Sequence, residues 1–343
     1  MIYIPNTSNN PYFNLAFEEV CLETLQTDET YFILWQNAPA VIFGKNQDLF
    51  QEVDFKYAQE RGIYLVRRIT GGGAVYHDLG NLNISIIGNY KLHPNYDQEY
   101  GQFITEALRN IGLRGVEMNG RNDLHVDGKK VSGWAKRIQG DSFLLHGTLL
   151  YDVDLDQLER VLQVESGKMH RKAVKSVRSV VKNIRELLPF GDINNLREAL
   201  RKELQGNDGT AELNKEQLDT INQLVATKYQ TEQWIYNLSF TPTLTRHFKA
   251  NCGTVIVNVL LKEDESPLRA EPLNPNLQPK KLIEAITFKG DFLGNKDTDE
   301  LCRLLKGVEW SAEAICLALS DIQIEAYFTG LTTDDFLVNI HPI

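Results

Sequence analysis

Three consecutive glycines, Gly71, Gly72 and Gly73, follow an apolar run, Ile63–Val66, and two arginines, Arg67 and Arg68. Glycine surrenders more backbone freedom on folding than any other residue, so such a triplet weakens any regular element that contains it. It belongs where main chain must turn sharply or lie against something. "IYLVRRI" reads as a strand running into the glycines and "NLNISIIG" as a strand leaving them. The loop therefore joins strands and does not open a helix. That excludes a dinucleotide-binding fingerprint, whose G-x-G-x-x-G spacing is also missing. It is not a Walker loop either, because Gly44-Lys45 continues as Asn46 with no glycine ladder before it. Two readings remain: a tight bend at a sheet edge, or an anion site in which loop amides stand beside arginine guanidinium groups. Arg67 and Arg68, with His77 and Asp78 just beyond, favour the anion site.

The elements around the loop give its setting. Asn10-Pro11 reads as a helix cap and first turn. Phe13, Ala16, Phe17, Val20 and Leu25 then share one side of a helix ending near Leu25. "YFILWQ" and "AVIFG" read as strands, and "DFKYAQERG" as a helix stopped by Gly62. "DQEYGQFITEALRNIG" is a helix with Phe103, Ile104, Ala107, Leu108 and Ile111 as its apolar face. Asp127-Gly128 marks a two-residue hairpin turn, and "SFLLHGTLLY" is a further strand. The lysine-bearing hairpin and the glycine loop are thus expected to be rims of one cleft. "GKMHRKAVKSVRSVVKNI" is the most basic stretch, with helical patterns on either side. Beyond "SFTPTLTRHFKANCG" the texture changes to two strands, "TVIVNVLL" and "KLIEAITFKG", followed by short helices. A boundary between Phe240 and Asn251 separates residues 1–245 from a small tail domain, 246–343.

A chain of 343 residues, 42% hydrophobic, is long for a single core, and two domains are expected. A net charge of -10 argues against bulk nucleic-acid binding and against a polybasic membrane patch. The N-terminus lacks the pattern of a signal peptide, and no apolar run has the length of a membrane span. Cys21, Cys252, Cys302 and Cys316 are scattered without zinc spacing and read as reduced thiols of a cytoplasmic protein.

"RRITGGGAVYHDLGN", "GRNDLHVDGKKVSGWAKR" and "LLHGTLL" together resemble lipoate–protein ligase, as do "GKNQ", "SVRSVVKNI" and "FKGDFLG" in their order along the chain. The resemblance implies an α+β fold: a catalytic domain of the biotin/lipoate-ligase type with a mixed β-sheet, and a small α/β C-terminal accessory domain. It implies that lipoate, or octanoate, attacks the α-phosphorus of ATP to give lipoyl-AMP and pyrophosphate. A lysine of a carrier domain then takes the acyl group. The carriers are lipoyl domains of 2-oxoacid dehydrogenase E2 subunits and the glycine-cleavage H protein.

The same resemblance assigns residues. Lys130, before "VSG", is the catalytic residue and contacts both carboxyl and phosphate oxygens. Charge develops on both in turn, and oriented cations lower those barriers. Arg68 is expected to bind phosphate or carboxylate oxygens, with Arg67 on the opposite face of the strand. Gly71, Gly72, Gly73 and Ala74 let the main chain lie against the acyl tail and the adenylate. His77 either stands near the phosphates or is a buried hydrogen-bond holder, and Asp78 fixes the loop. Asn122 touches phosphate and Asp123 is the Mg²⁺ ligand, since that ion takes few carboxylates and keeps its waters. The bland alternative for this pair is an Asx turn. His146 and Gly147 line the pocket, and of Lys136 and Arg137 the latter is counted with it. The basic stretch closes over adenine and ribose or docks an acidic carrier, unless it is a solvated linker.

Two positions depart from the family pattern. Trp134 replaces a small residue, which suggests that its ring faces the pocket and biases acyl-chain choice. Val180 replaces an arginine. The alternative function is an octanoyl or lipoyl transferase working between carriers without ATP. It calls for a nucleophilic cysteine or a direct lysine relay, and none of the four cysteines lies in the glycine, "ND" or "SGWA" motifs. A biotin ligase would carry a Gly-Arg-Gly-Arg loop, which this chain lacks.

Overall fold

The structure is a computed structural model that describes residues 1–25, 28–119, 123–162, 181–237, 240–263 and 280–340. The chain forms two compact units, Met1–Asn237 and Leu238–Ile343.

In the first unit, β1 (Ile2–Tyr3), α1 (Pro11–Thr24), β2 (Tyr31–Trp35) and β3 (Ala40–Phe43) come first. They are followed by α2 (Phe55–Glu60), β4 (Tyr64–Arg67), β5 (Val75–His77), β6 (Asn81–Asn89) and α3 (Tyr96–Asn110). Next come β7 (Val116–Asn119), β8 (Asp123–Val126), β9 (Lys129–Gln139), β10 (Ser142–Leu150) and α4 (Leu155–Val161). The unit closes with α5 (Ile193–Gln205), α6 (Lys215–Leu224) and α7 (Glu232–Tyr236). Among the described residues the main sheet has the order β1-β2-β6-β10-β9-β8-β7. β1 runs parallel to β2, and the remaining neighbours are antiparallel. A smaller sheet, β4-β3-β5, pairs β3 parallel to β4 and antiparallel to β5. This is the mixed-sheet α+β fold that the family resemblance implies.

The main sheet is covered on both faces, which explains why "YFILW" is apolar throughout where a half-exposed strand would alternate. Phe32, Leu34 and Ile86 face one cluster with Tyr96, Tyr100 and Ile104 of α3 and Leu196 and Leu200 of α5. Ile33, Trp35, Ile87 and Leu144 face the other, with Leu15, Phe17 and Val20 of α1 and Ile42 and Val66 of the small sheet. In α3 the buried stripe is Tyr96, Tyr100, Ile104, Ala107 and Leu108 at three- and four-residue steps, so Phe103 lies beside it and is exposed. Asn10 caps α1 as expected, its side chain accepting from the amides of Tyr12 and Phe13. Such a cap is worth about 1 kcal/mol. α1 is buried well beyond one apolar side: Glu18 and Glu19 are inside as well.

In the second unit β11 (Leu244–Ala250), β12 (Gly253–Glu263) and β13 (Lys281–Lys289) form an antiparallel sheet in that order. Helices α8 (Asp299–Leu305), α9 (Ala312–Ala318) and α10 (Thr333–Ile340) follow. Val255, Val257, Val259, Phe288, Phe328 and Phe336 centre its core. β11 was not expected. Arg246 occupies one of its inward positions, and that hides the alternation of Leu244, Phe248 and Ala250 with exposed Thr245, His247 and Lys249.

Candidate active site

The loop 69–74 and the β8–β9 hairpin stand over the same face of the main sheet. His146 on β10 pairs with Ala135 on β9 and with Ser85 on β6, and the three side chains share the face covered by α1. Arg137 lies two residues beyond Ala135 and donates to the carbonyl of Ile69 at 3.1 Å, which ties the strand to the loop.

The two adjacent arginines hold this rim from below. Arg67 is 1% exposed, and its guanidinium donates to the carbonyls of Gly44, Lys45, Gln47, Trp234 and Ile235 at 2.8–3.1 Å. It ties the turn 44–47 to α7. That turn is docked on the glycine loop: the Lys45 amide donates to Thr70 O, and a Cβ on Gly44 would fall 1.9 Å from Gly72 O. Only glycine fits at position 44. Arg68, also buried, donates to Ile42 O and Thr70 Oγ1, and through Nη2 to Gly71 O at 2.6 Å and Gly73 O at 2.8 Å. Burial pulls both guanidinium groups down to about 10, so both remain charged at neutral pH.

Arg68 thus differs from the expectation that it presents its donors to a ligand. It gathers the carbonyls of the glycine loop, and with the carbonyls of Gly71 and Gly73 drawn inward, the anion-binding capacity of the rim rests on the loop amides. No hydrogen-bond partner among the described residues takes the amides of Gly71, Gly72, Gly73 or Ala74. Gly72, at φ +88°, makes the turn that this arrangement requires.

A buried polar chain continues from Arg68. Thr70 Oγ1 lies 2.8 Å from His146 Nε2, and His146 Nδ1 lies 2.9 Å from Glu18 Oε1. Ser85 Oγ donates to Glu18 at 2.5 Å and Trp35 Nε1 donates to Ser85 Oγ at 2.7 Å. One proton assignment satisfies every link. Nδ1–H of His146 donates to the carboxylate, Nε2 accepts from the Thr70 hydroxyl, and Thr70 Oγ1 accepts from Arg68. Glu18 and Arg68 are thus linked through His146 and Thr70. Glu18, Thr70, Ser85 and Trp35 were not among the expected site residues. Two glutamates inside an apolar helix pattern were the one available signal.

The other rim is the hairpin. Asp127 and Gly128, at φ 53° and 73°, form the left-handed two-residue turn that their sequence specifies. In β9 the register slips: Leu124 pairs with Ser132 but His125 pairs with Lys130, which leaves Val131 as an extra residue. A regular strand would set Lys130 on the same face as Trp134. The bulge turns it to the face of Gly133 and Asp123, as bulges beside active sites commonly do. Lys130 Nζ lies over Gly133 and 2.8 Å from Asp123 Oδ1. Both side chains keep about a third of their surface exposed, 31% and 35%. His125 Nε2 is 4.0 Å from Asp123 Oδ2. The returning chain pairs alongside, with the Lys182 amide donating to Lys130 O and Lys182 Nζ 3.0 Å from Asp127.

Trp134 does not face the cleft. It pairs with Gly147, both on the far side of the sheet from His146, and its ring covers Gly147 so closely that a Cβ there would lie 2.4 Å from it. The ring packs on the α3-side core, and its indole N–H has no hydrogen-bond partner among the described residues. A pocket-lining Trp134 and a pocket-lining Gly147 are therefore corrected: together they fill the layer behind the sheet. Lys136 is also on that side, 2.6 Å from Asp97. Asp78 fixes its loop by accepting from the amides of Gly80 and Asp154. His77 is buried against Asn37 and pushed down to about 3, by desolvation first and by Arg68 and His146 next, so it is neutral. Asn122, Val180 and the basic stretch from Lys168 to Arg178 lie outside the described residues.

The cysteine of the first unit is not placed as a nucleophile. Cys21 is buried in α1, with its thiol pushed up by burial. No helix among the described residues is long and apolar enough to cross a membrane.

A mixed α+β sheet carrying an amide-lined glycine loop and a lysine hairpin on one face defines an acyl-ligase type of catalytic unit. Residues 10–205 match the model of the lipoyl protein ligase A/B catalytic domain, and residues 277–340 match that of the bacterial lipoate protein ligase C-terminus. The chain belongs to the lipoate–protein ligase family. It is 33% identical to the lipoate-protein ligase LplJ of Bacillus subtilis, across 98% of this chain and 99% of that one. The bipartite lipoate protein ligase of Thermoplasma acidophilum, studied with its E2 lipoyl domain, superposes with a TM-score of 0.63 at 28% identity, covering 71% of this chain and 98% of that chain. A lipoate-protein ligase A solved with bound ATP gives 0.59 at 27% identity, covering 69% and 99%.

Proposed function

We propose that this protein joins lipoate, or octanoate, to ATP as an acyl adenylate. It then passes the acyl group to a lysine on the lipoyl domain of an E2 subunit or on the glycine-cleavage H protein. One observation carries this reading: unpaired amides of the glycine loop and the Lys130–Asp123 pair share one sheet face. That is an arrangement for two neighbouring anions, a carboxylate and a phosphate.

When a carboxylate oxygen attacks the α-phosphorus, charge accumulates on the phosphoryl oxygens as pyrophosphate leaves. The amides of Gly71 to Ala74 and the Lys130 ammonium are donors already oriented for that charge, and such donors act without reorganisation. Arg68 serves by holding the loop. In the second step the carrier's amine attacks the acyl carbonyl and AMP departs, with Lys130 beside the carbonyl oxygen. The carboxylate of Asp123, with Oδ1 on Lys130 and Oδ2 4.0 Å from His125 Nε2, suits Mg²⁺, which takes one or two carboxylates and completes its shell with phosphates and water. Bound there, the ion would offset triphosphate charge. Asn122 is proposed to touch phosphate, and the lack of a disulfide at Cys21, Cys252, Cys302 and Cys316 accords with work in the cytoplasm. The catalytic and accessory domains are proposed to be the two units in that order.

The test is pyrophosphate release by the purified protein with ATP, Mg²⁺ and lipoate. Release should exceed that of a control without lipoate, and equality of the two would defeat the reading.

A further inference from the structure

Beside the Lys130–Asp123 pair, on the side of the hairpin turn, stands a histidine. His125 is the cross-strand partner of Lys130, and its Nε2 lies 4.0 Å from Asp123 Oδ2. Its side chain is 14% exposed, so the ring is held against its neighbours. The bulge at Val131 swings the Lys130 ammonium back over Gly133, 2.8 Å from Asp123 Oδ1. Asp123 therefore has the ammonium at one oxygen and the imidazole on the side of the other. The three groups share one face of the β8–β9 pair.

That face runs from a covered end to an open one. At the covered end Arg137 is tied to Ile69 of the glycine loop, and Ala135 and its partner His146 are 7% and 8% exposed. Gly133 and Asp123 come next, then Lys130 and His125. At the open end is the turn, where Asp127 is 72% exposed and lies 3.0 Å from Lys182 Nζ. An apolar acyl chain favours the covered end, and a charged triphosphate favours the open one. Displacement at the α-phosphorus is in line. As the bond from the carboxylate oxygen to phosphorus forms, the bond from phosphorus to the bridging oxygen of pyrophosphate breaks on the opposite side, and that oxygen keeps the electron pair. With the acid entering from the covered end and the α-phosphate at Lys130, the leaving group departs toward the turn, past His125. An imidazole Nε2 donates a hydrogen bond when the ring is charged and in one neutral tautomer. A donor at an oxygen that gains charge lowers the barrier of that step.

We infer that His125 is a further catalytic residue of the activation step, whose Nε2–H donates to the departing pyrophosphate. The inference rests on the ligase reading above. It sets His125 apart from Lys130. The lysine serves both half-reactions, because α-phosphate and acyl carbonyl remain after the first. The pyrophosphate is gone before the carrier's amine attacks, so His125 serves the first half-reaction alone.

The experiment measures the two half-reactions separately in wild type, His125→Ala and His125→Gln. Pyrophosphate release with ATP, Mg²⁺ and lipoate reports the first, and acyl transfer from supplied lipoyl-AMP to a lipoyl domain reports the second. In His125→Ala the first should slow about ten- to a hundredfold, the weight of one hydrogen bond to a charged group, while the second keeps its rate. Glutamine places an amide N–H near the position of Nε2 and should recover most of the loss. Equal decline of both half-reactions would make His125 a support for Asp123 and Lys130 only and overturn the inference, as would an unchanged first step or a glutamine variant no better than alanine. Should neither variant fold, wild-type protein with nitrogen-labelled histidine serves instead. Pyrophosphate with Mg²⁺ should shift the ring-nitrogen resonances of His125 more than AMP does, and equal or absent shifts overturn the assignment. If wild type releases no pyrophosphate with lipoate, the ligase reading fails, and the resonance comparison still judges whether His125 meets pyrophosphate.

Discussion

Arg68 is 6% exposed, and its guanidinium is spent on a threonine hydroxyl and three main-chain carbonyls. Lys130, across the cleft, keeps 31% of its side chain exposed and meets Asp123. The two cations therefore do different work. The arginine rim is assembled before any ligand arrives: its charge shapes main chain, and the main chain faces the ligand. The lysine rim makes one solvent-screened ion pair, a contact of little net strength, so an arriving phosphate can take the ammonium over cheaply. One side is a mould and the other a hand.

Substitutions should separate the two rims. The largest effect is expected for Arg67→Leu, which strips donors from five carbonyls joining the turn 44–47 to α7. Each buried carbonyl left without its donor costs about 1–3 kcal/mol, so a loss of several kcal/mol is expected. Chemical denaturation should show that loss directly, and a variant as stable as wild type would mean the arginine rim is not built as argued. Next is Lys130→Ala. Loss of one oriented donor costs about 3–4 kcal/mol in the transition state, while its exposed position predicts nearly unchanged thermal stability. Turnover close to wild type would move the role to another cation. The smallest effect on chemistry is expected for Trp134→Leu, since that ring lies behind the sheet. Stability should fall by about 1–3 kcal/mol, less than a full core truncation, with the octanoate-to-lipoate ratio unmoved. A changed ratio would put Trp134 back among the residues that sense the acyl chain.

The sequence made the rims themselves legible, because each is written in a short window: three glycines after two arginines, and a lysine just past an Asp-Gly turn. What lay between them was not. Glu18 meets Ser85 and His146 from positions 67 and 128 residues distant, and nothing local marks it as a partner for either. The facing of Trp134 was obscured for another reason. In a regular strand Lys130 and Trp134 share a face, so a tryptophan near a catalytic lysine reads as pocket-lining. The extra residue at Val131 breaks that parity. The strand Leu244–Ala250 was hidden by charge at an inward position.

The bulge at Val131 has a bearing on how such a protein changes over time. Substitutions in the hairpin alter what the strand touches, but the direction of Lys130 depends on how many residues stand between it and Gly133. Losing or gaining one residue there would send the ammonium to the far side of the sheet with every side chain intact. The hairpin is therefore more tolerant of altered spelling than of altered length, and descendants of this chain are expected to keep the count between Asp123 and Gly133 even where they replace the letters.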